Sequence, residues 1–249
     1  METYGLIGYP LTHSFSEKFF TEKFRNENIR NCEYKNFPLT SIELLTSLIE
    51  SNEDIRGLNV TTPYKQSALR FLNYLDPVAE KTKSVNTIKV IRKNKKVSLE
   101  GYNSDVYGFE KSFLAVCKPH HKNAIILGTG GAAQAVSYVL ASLKIQHSFV
   151  SRTQVHDNII SYSSLDKEKI LQATVIINAT PAGMFPQIND CPQIPFQYVT
   201  PDHLLFDLIY NPGETLFLKK GKEKGAQIKN GLEMLHLQAE KAWEIWQGK

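Results

Sequence analysis

The sequence predicts an α/β protein of two domains, one of them a Rossmann-type parallel-sheet dinucleotide domain. Three observations carry this. Strand-like and helix-like stretches alternate along the chain, the pattern that builds parallel sheets through right-handed crossovers. A buried-type strand, Asn123 to Leu127, runs into Gly128-Thr129-Gly130-Gly131-Ala132-Ala133 and then into a helix pattern. The chain has 249 residues, which at roughly 150 residues per domain gives more than one.

Each element follows from local pattern. Thr3 to Gly8 reads as a strand. Ser16 reads as the cap of a helix whose apolar face carries Phe19, Phe20 and Phe24. Glu33 to Phe37 is a further strand, and Thr40 opens a helix with Leu44, Leu45, Leu48 and Ile49 on one stripe. Ile55 to Val60 is a strand, and Pro63 suits the first turn of a helix that would hold Lys65. Asn86 to Arg92 and Val97 to Tyr102 pair as a hairpin through Lys93-Asn94-Lys95-Lys96. The basic run Arg92 to Lys96 reads as a solvated hairpin turn rather than a nucleic-acid patch. The second half gives strands at Asn123 to Leu127, Gln146 to Val150, Val175 to Asn178 and Leu204 to Asp207. Helices are expected at Ala132 to Leu143 and Leu232 to Trp246, the last with Leu235, Ala239, Ala242 and Trp246 on one side.

Composition excludes several classes. Hydrophobic residues make up 42% and charged residues 22%, so disorder and coiled coil are disfavoured. No apolar run approaches the ~18 residues that span a bilayer. The first ten residues lack a basic stretch followed by an apolar one, so no secretory signal is expected. The formal net charge of +4 suits an anionic small molecule but not a nucleic-acid partner. Cys32, Cys117 and Cys191 are far apart and odd in number, which favours a reducing, cytoplasmic setting over disulfides or zinc. The histidines show no His-x-x-x-His spacing, so no metal is expected.

The glycine turn has a physical logic. Gly128 allows a tight turn, Gly130 lets the backbone approach a pyrophosphate, and Ala133 permits close packing of helix on strand. The helix start, with Gly131 and Ala132, offers unpaired N–H groups to the phosphates. The alternative is a Gly-rich turn with no ligand. The end of the next strand selects the cofactor. An acidic residue there would hold a ribose 2′-hydroxyl, but the segment is Val150-Ser151-Arg152-Thr153. A guanidinium flanked by hydroxyls suits a 2′-phosphate, so NADP(H) is the expected cofactor.

Polar groups at strand ends supply the second constellation. Gly57 to Lys65 ends a strand and begins a helix, and polar groups at such a strand end face the ligand crevice of an α/β protein. A lysine side chain is a proton donor at neutral pH. Asp105, after the strand ending Gly101-Tyr102-Asn103-Ser104, is a partner for Lys65. Alone, each also reads blandly, Lys65 as a solvated helix residue and Asp105 as a helix cap.

In combination the motifs resemble those of the shikimate dehydrogenase family, in order and along essentially the whole chain. They are Gly5 to Pro10, His13-Ser14-Phe15-Ser16, Asn59 to Lys65, Ser84-Val85-Asn86-Thr87, Gly101 to Asp105 and Gly128 to Ala133. Arg152-Thr153, Asn178 to Met184, Asp207 to Pro212 and Gly231 to Ala239 complete the series. The resemblance implies reversible NADPH-dependent reduction of 3-dehydroshikimate to shikimate, within the shikimate pathway of aromatic amino-acid biosynthesis. It implies that Lys65 and Asp105 are catalytic. Ser14 and Ser16 then hold the substrate carboxylate, and Thr61, Asn86, Asp105 and Gln238 bind the ring hydroxyls. Tyr210 lines the substrate pocket. Thr180, Met184 and Gly231 flank the nicotinamide end, and Ser151, Arg152 and Thr153 the adenosine end. Tyr210 and Gln238 also read as a core tyrosine and a polar helix residue.

The chain departs from the family pattern at Glu17, where proline is usual, at Ser151 for Asn, and at Ser104 for Thr. The implied domains are residues 1–103 with 236–249 for substrate and 104–235 for NADP, with a cleft between them. Small-molecule substrates are the expected partners, in a monomer or homodimer. The rival readings are an NAD-using quinate/shikimate dehydrogenase and a non-catalytic NADP-binding regulator.

Overall fold

Two six-stranded sheets organise the chain, each in its own compact unit. The computed structural model describes residues 1–11, 15–94, 96–152 and 158–249. The first unit is Met1–Ser104 with Ala239–Lys249, and the second is Asp105–Gln238.

The first unit begins with β1 (Glu2–Gly8), α1 (Phe15–Asn26), β2 (Cys32–Pro38), α2 (Leu44–Ser51) and β3 (Ile55–Val60). Next come β4 (Tyr74–Leu75), α3 (Pro77–Thr82) and the hairpin of β5 (Thr87–Lys93) with β6 (Lys96–Tyr102). The sheet order is β2-β1-β3-β5-β6-β4. β1 is parallel to β2 and β3, with Ile7 opposite Val60, whereas β5 is antiparallel to β3 and β6. Alternation along β1 serves both faces of the sheet. Ile7 joins Leu45, Ile49, Leu58 and Ile88 on one side. Tyr4 and Leu6 join Phe20, Phe24, Tyr34, Ala239, Ala242 and Trp246 on the other. Gly57 has to be glycine because a Cβ there would enter the Trp246 indole, whose Nε1 donates to the Ile88 carbonyl at 3.0 Å.

Three local expectations are corrected here. α1 starts at Phe15, so Ser16 lies inside the helix and is not its cap; Phe15 stacks on Phe19 one turn later, with ring centroids 5.7 Å apart. Thr40 does not open α2. The Ser41 hydroxyl accepts from Glu43 N, and Leu44 and Leu45 close three-residue turns onto Ser41 and Ile42. That tight turn delays the helix to Leu44, which leaves Leu44 exposed while Leu45 and Ile49 are buried. Lys65 is not in a helix. Its carbonyl accepts from Val85 N at 2.8 Å, so it stands in a turn that ends in a short 3-10 helix, Ser67–Phe71.

The second unit opens with α4 (Ser104–Leu114), whose Ser104 still counts with the first. It continues through β7 (Asn123–Leu127), α5 (Gly131–Ser142), β8 (Gln146–Ser151), β9 (Ile159–Ser161), α6 (Lys167–Gln172) and β10 (Val175–Asn178). β11 (Leu204–Asp207), α7 (Leu216–Glu223), β12 (Gln227–Lys229) and α8 (Leu232–Gln247) follow. α8 ends in the first unit. The sheet order is β12-β11-β10-β7-β8-β9 and every pairing is parallel. β10 and β11 are buried at every residue, as a parallel sheet covered on both faces requires. The chain steps outward from β7 to β9 and then returns to β10 on the other side. The switch point, where α/β proteins bind ligands, is therefore at the carboxyl ends of β7 and β10. Asp105 sits in the first turn of α4, where a carboxylate favours the helix dipole.

Among the described residues, no helix is long and apolar enough to cross a membrane.

Candidate functional site

In the first unit the sequence-derived residues gather where β1 and β3 end. Thr61 N donates to Ile7 O, and Tyr64 N to Thr61 O, both at 2.9 Å. A Cβ on Gly8 would meet the Thr61 methyl, so glycine is needed for this close approach. Asn86 lies alongside, since its carbonyl accepts from Val60 N at 2.8 Å, and Lys65 is tied to Val85. Ser16 hydrogen-bonds the Tyr34 hydroxyl, which donates to Asn59 Oδ1 at 2.8 Å. Burial raises the Tyr34 pKa, opposed by the Ser16 bond. Glu17 is held by Asn36 Nδ2 at 2.5 Å. Ser14 lies outside the described residues.

Asn86 has structural work of its own. Its Oδ1 accepts from Ser104 N at 2.7 Å, and its Nδ2 donates to Ser104 Oγ at 2.9 Å. The side chain thereby fixes the residue that starts α4, directly before Asp105.

In the second unit, Gly128 has φ +103°, a conformation that favours glycine. A Cβ on Gly130 would meet nothing within 4 Å, so the space over this turn is open. The N-cap of α5 is Gly130, which has no side chain to cap the first N–H groups, and such groups suit an anion. Ala133 is fully buried against the sheet. Gly131 and Ala132 are the first two residues of α5. This geometry fits a pyrophosphate, and the open approach at Gly130 is the observation that supports it.

Ser151 ends β8, buried, with exposed Arg152 after it. Burial raises the Tyr162 pKa, and the Arg152 charge opposes this. Ser161, opposite Ser151 on β9, bonds the Ser163 and Ser164 hydroxyls at 2.7 and 2.8 Å. Thr153 lies outside the described residues.

At the ends of β10 and β11, Asn178 Nδ2 donates to Asp207 Oδ1 at 3.1 Å, and Thr180 Oγ1 donates to Asn178 Oδ1 at 2.6 Å. Thr180 also stands beside Gly128, whose Cβ would lie 3.0 Å from its methyl. Met184 is exposed, and burial raises the Tyr210 pKa. Gly231 N donates to Ile209 O at 3.0 Å, and any Cβ on Gly231 would strike the Leu208 carbonyl. Gln238 lies against α4, where a Cβ on Gly108 would sit 3.0 Å from its Cβ. Asp105 is one turn before Gly108 on that face of α4. Lys65 and Asp105 belong to different units.

Sequence reasoning assigned no role to Tyr34, Ser161 or Asp207. Asp207 had a legible signal, a carboxylate closing the otherwise apolar run Leu204 to Phe206. Tyr34 and Ser161 had none, because their partners lie on other strands.

An open parallel sheet in this order, with a Gly-x-Gly turn at its switch point and an arginine after the next strand, defines a dinucleotide-binding α/β protein. The comparisons carry this further. Residues 6–88 match the family model described as the shikimate dehydrogenase substrate binding domain. The chain is 37% identical to a Shikimate dehydrogenase (NADP(+)) of Clostridium beijerinckii, over 99% of this chain and 92% of that one. A crystal structure of shikimate dehydrogenase 1 from Peptoclostridium difficile superposes with a TM-score of 0.87 at 36% identity, covering 100% of this chain and 92% of that one. Shikimate 5-dehydrogenase from Thermus thermophilus, solved with NADP(H) and shikimate, gives a TM-score of 0.85 at 27% identity, covering 100% and 94%. The chain belongs to the shikimate dehydrogenase family.

Proposed function

We propose that this protein is an NADP-dependent oxidoreductase that interconverts 3-dehydroshikimate and shikimate. The observation that carries the reading is likeness along nearly the whole chain to relatives named Shikimate dehydrogenase (NADP(+)). The open glycine turn and Arg152 agree with it.

NADPH, when bound, supplies the hydride that reduces the C3 carbonyl. The turn from Gly128 to Ala133 would hold its pyrophosphate, Ser151, Arg152 and Thr153 its 2′-phosphate, and Thr180, Met184 and Gly231 its nicotinamide end. Lys65 gives a proton to the C3 oxygen as the carbonyl becomes an alcohol, and takes it back in the reverse direction. Asp105 is assigned to orienting that oxygen. Ser14 and Ser16 donate hydrogen bonds to the substrate carboxylate. The Ser16 hydroxyl donates to Tyr34, whose own proton goes to Asn59, so it turns from Tyr34 to serve the carboxylate. Thr61, Asn86 and Gln238 are assigned to the ring hydroxyls, and Tyr210 to the pocket wall. For Asn86 the support is its place beside Val60, since its amide is already engaged with Ser104. Three free thiols suit a reducing compartment, so we place the protein in the cytoplasm.

The test is to mix the protein with NADPH and 3-dehydroshikimate and follow NADPH absorbance. Steady loss that requires both supports the reading. A flat trace with demonstrated NADPH binding overturns it in favour of a non-catalytic binder. Faster consumption of NADH than of NADPH overturns the cofactor assignment.

A further inference from the structure

Two turns of the second unit share one construction. Lys118-Pro119-His120-His121 precedes β7, and Thr200-Pro201-Asp202-His203 precedes β11. The fourth residue of each is a buried histidine, His121 at 2% and His203 at 1% exposed. Its backbone N–H donates to the carbonyl of the first residue at 3.0 Å in both turns. The N–H of the first residue returns a bond to the imidazole Nδ1, at 3.0 Å from Lys118 and 3.1 Å from Thr200. A backbone N–H only donates, so Nδ1 is bare in both rings, and each ring closes its turn as an acceptor.

The turns differ in what they offer a proton that arrives on Nδ1. The Thr200 hydroxyl lies 2.9 Å from His203 Nδ1 and has lone pairs to receive it, while Nε2 stays on the Ile170 carbonyl at 2.9 Å. The other turn has lysine at this place, and an ammonium accepts nothing. A proton on His121 Nδ1 would therefore confront the Lys118 N–H, and the lysine side chain cannot relieve it.

The surroundings act in the same direction. The charged and titratable groups that face His121 are His120 and Lys118 of its own turn and His203 of the other, and Asp202 presents its backbone carbonyl. Burial, then the charges of His120, Lys118 and His203, hold the His121 pKa below the ordinary histidine value, with the Asp202 carbonyl opposing them. The turn also anchors the sheet, because the carbonyl of the next residue, Lys122, accepts from Gln146 N at 2.9 Å where β8 begins.

We propose that the Lys118–His121 turn is an acid-released latch at the start of β7: a proton on His121 Nδ1 expels the Lys118 N–H and opens this end of the strand, whereas the Thr200–His203 turn holds. The buried ring takes a proton less readily than the released one. The closed latch is therefore favoured above the ordinary histidine value and loses ground as pH falls below it.

The experiment is residue-resolved hydrogen exchange on the full chain from pH 7.5 to 5, corrected for the intrinsic pH dependence of amide exchange. In the wild type the opening constant at the Lys118 and Gln146 amides rises about tenfold for each pH unit below about 6.5, the effect of one proton taken up on opening. At the Thr200 amide it stays level. His121→Asn keeps an acceptor for the Lys118 N–H but cannot titrate, so its opening constant at Lys118 is level with pH. Lys118→Thr supplies the hydroxyl that the other turn has, and the slope flattens. A level wild type, a Thr200 amide that opens as steeply as Lys118, or a slope retained in His121→Asn or in Lys118→Thr overturns the proposal. Should His121→Asn fail to fold, nitrogen NMR of the wild-type histidines decides. A neutral His121 with its proton on Nε2 at pH 6 supports the latch, and a charged His121 ring in the folded protein at that pH overturns it.

Discussion

Replacing Asp207 by Asn should change how stability depends on pH, and the structure sets both sign and size. Burial pushes the Asp207 carboxyl up from its ordinary 3.8 to about 6, with the bonds from Thr215, Ile209 and Asn178 opposing that rise only in part. The folded state therefore holds the proton more tightly than the unfolded chain does. The associated stabilisation is fully present below the unfolded value, and is lost as pH rises through the folded one. A gap of about two pH units corresponds to about 3 kcal/mol. Full burial means that solvent screening does not reduce it. Asn cannot titrate, so the variant lacks this dependence, and any fixed cost of fitting an amide cancels in the comparison. Urea unfolding of both proteins across pH 3 to 8 is the assay. The wild-type free energy minus that of the variant should fall by about 3 kcal/mol from the acid end to the neutral end. A flat difference would mean that Asp207 does not titrate differently on folding. A rising one would mean that its hydrogen bonds outweigh burial, and either refutes the reasoning.

Lys65→Ala should lower turnover about 10²–10⁴-fold with little change in the Michaelis constant for shikimate, measured by steady-state kinetics; intact turnover removes Lys65 from the proton transfer. Arg152→Ala should weaken NADPH far more than NADH in parallel titrations, because only NADPH has a 2′-phosphate to lose a charge-assisted bond; equal losses refute the selectivity assignment. Trp246→Phe should cost about 1–3 kcal/mol in denaturant unfolding, since the Ile88 carbonyl inside the sheet is left without its indole donor. A smaller effect would show that another donor reaches that carbonyl.

Much of this protein is legible from its sequence because the controlling physics is local. β3, β7, β10 and β11 span the residues that their sequence pattern predicts. A run of buried side chains is specified residue by residue, with no need to know its neighbours. The Gly128 to Ala133 turn is equally local, since one residue at φ +103° and one open approach are properties of that loop. The ordered motifs were also enough to point to the family and the cofactor.

Long-range partners decided the rest. Lys65 escapes the helix that Pro63 suggested because its carbonyl is taken by Val85, twenty residues on. α4 starts at Ser104 because the Asn86 side chain, on the far side of a hairpin, receives its N–H. Ser16 gains a partner in Tyr34 only because β2 lies beside α1. Asp207 shows the difference most sharply. Its sequence position marks a strand end, but its raised pKa and its hold on Asn178 exist only because β10 pairs in register with β11 and puts Asn178 opposite Asp207. Propensity and periodicity describe a residue against its chain neighbours. Desolvation and hydrogen bonding to distant groups arise only when folding brings those groups within reach.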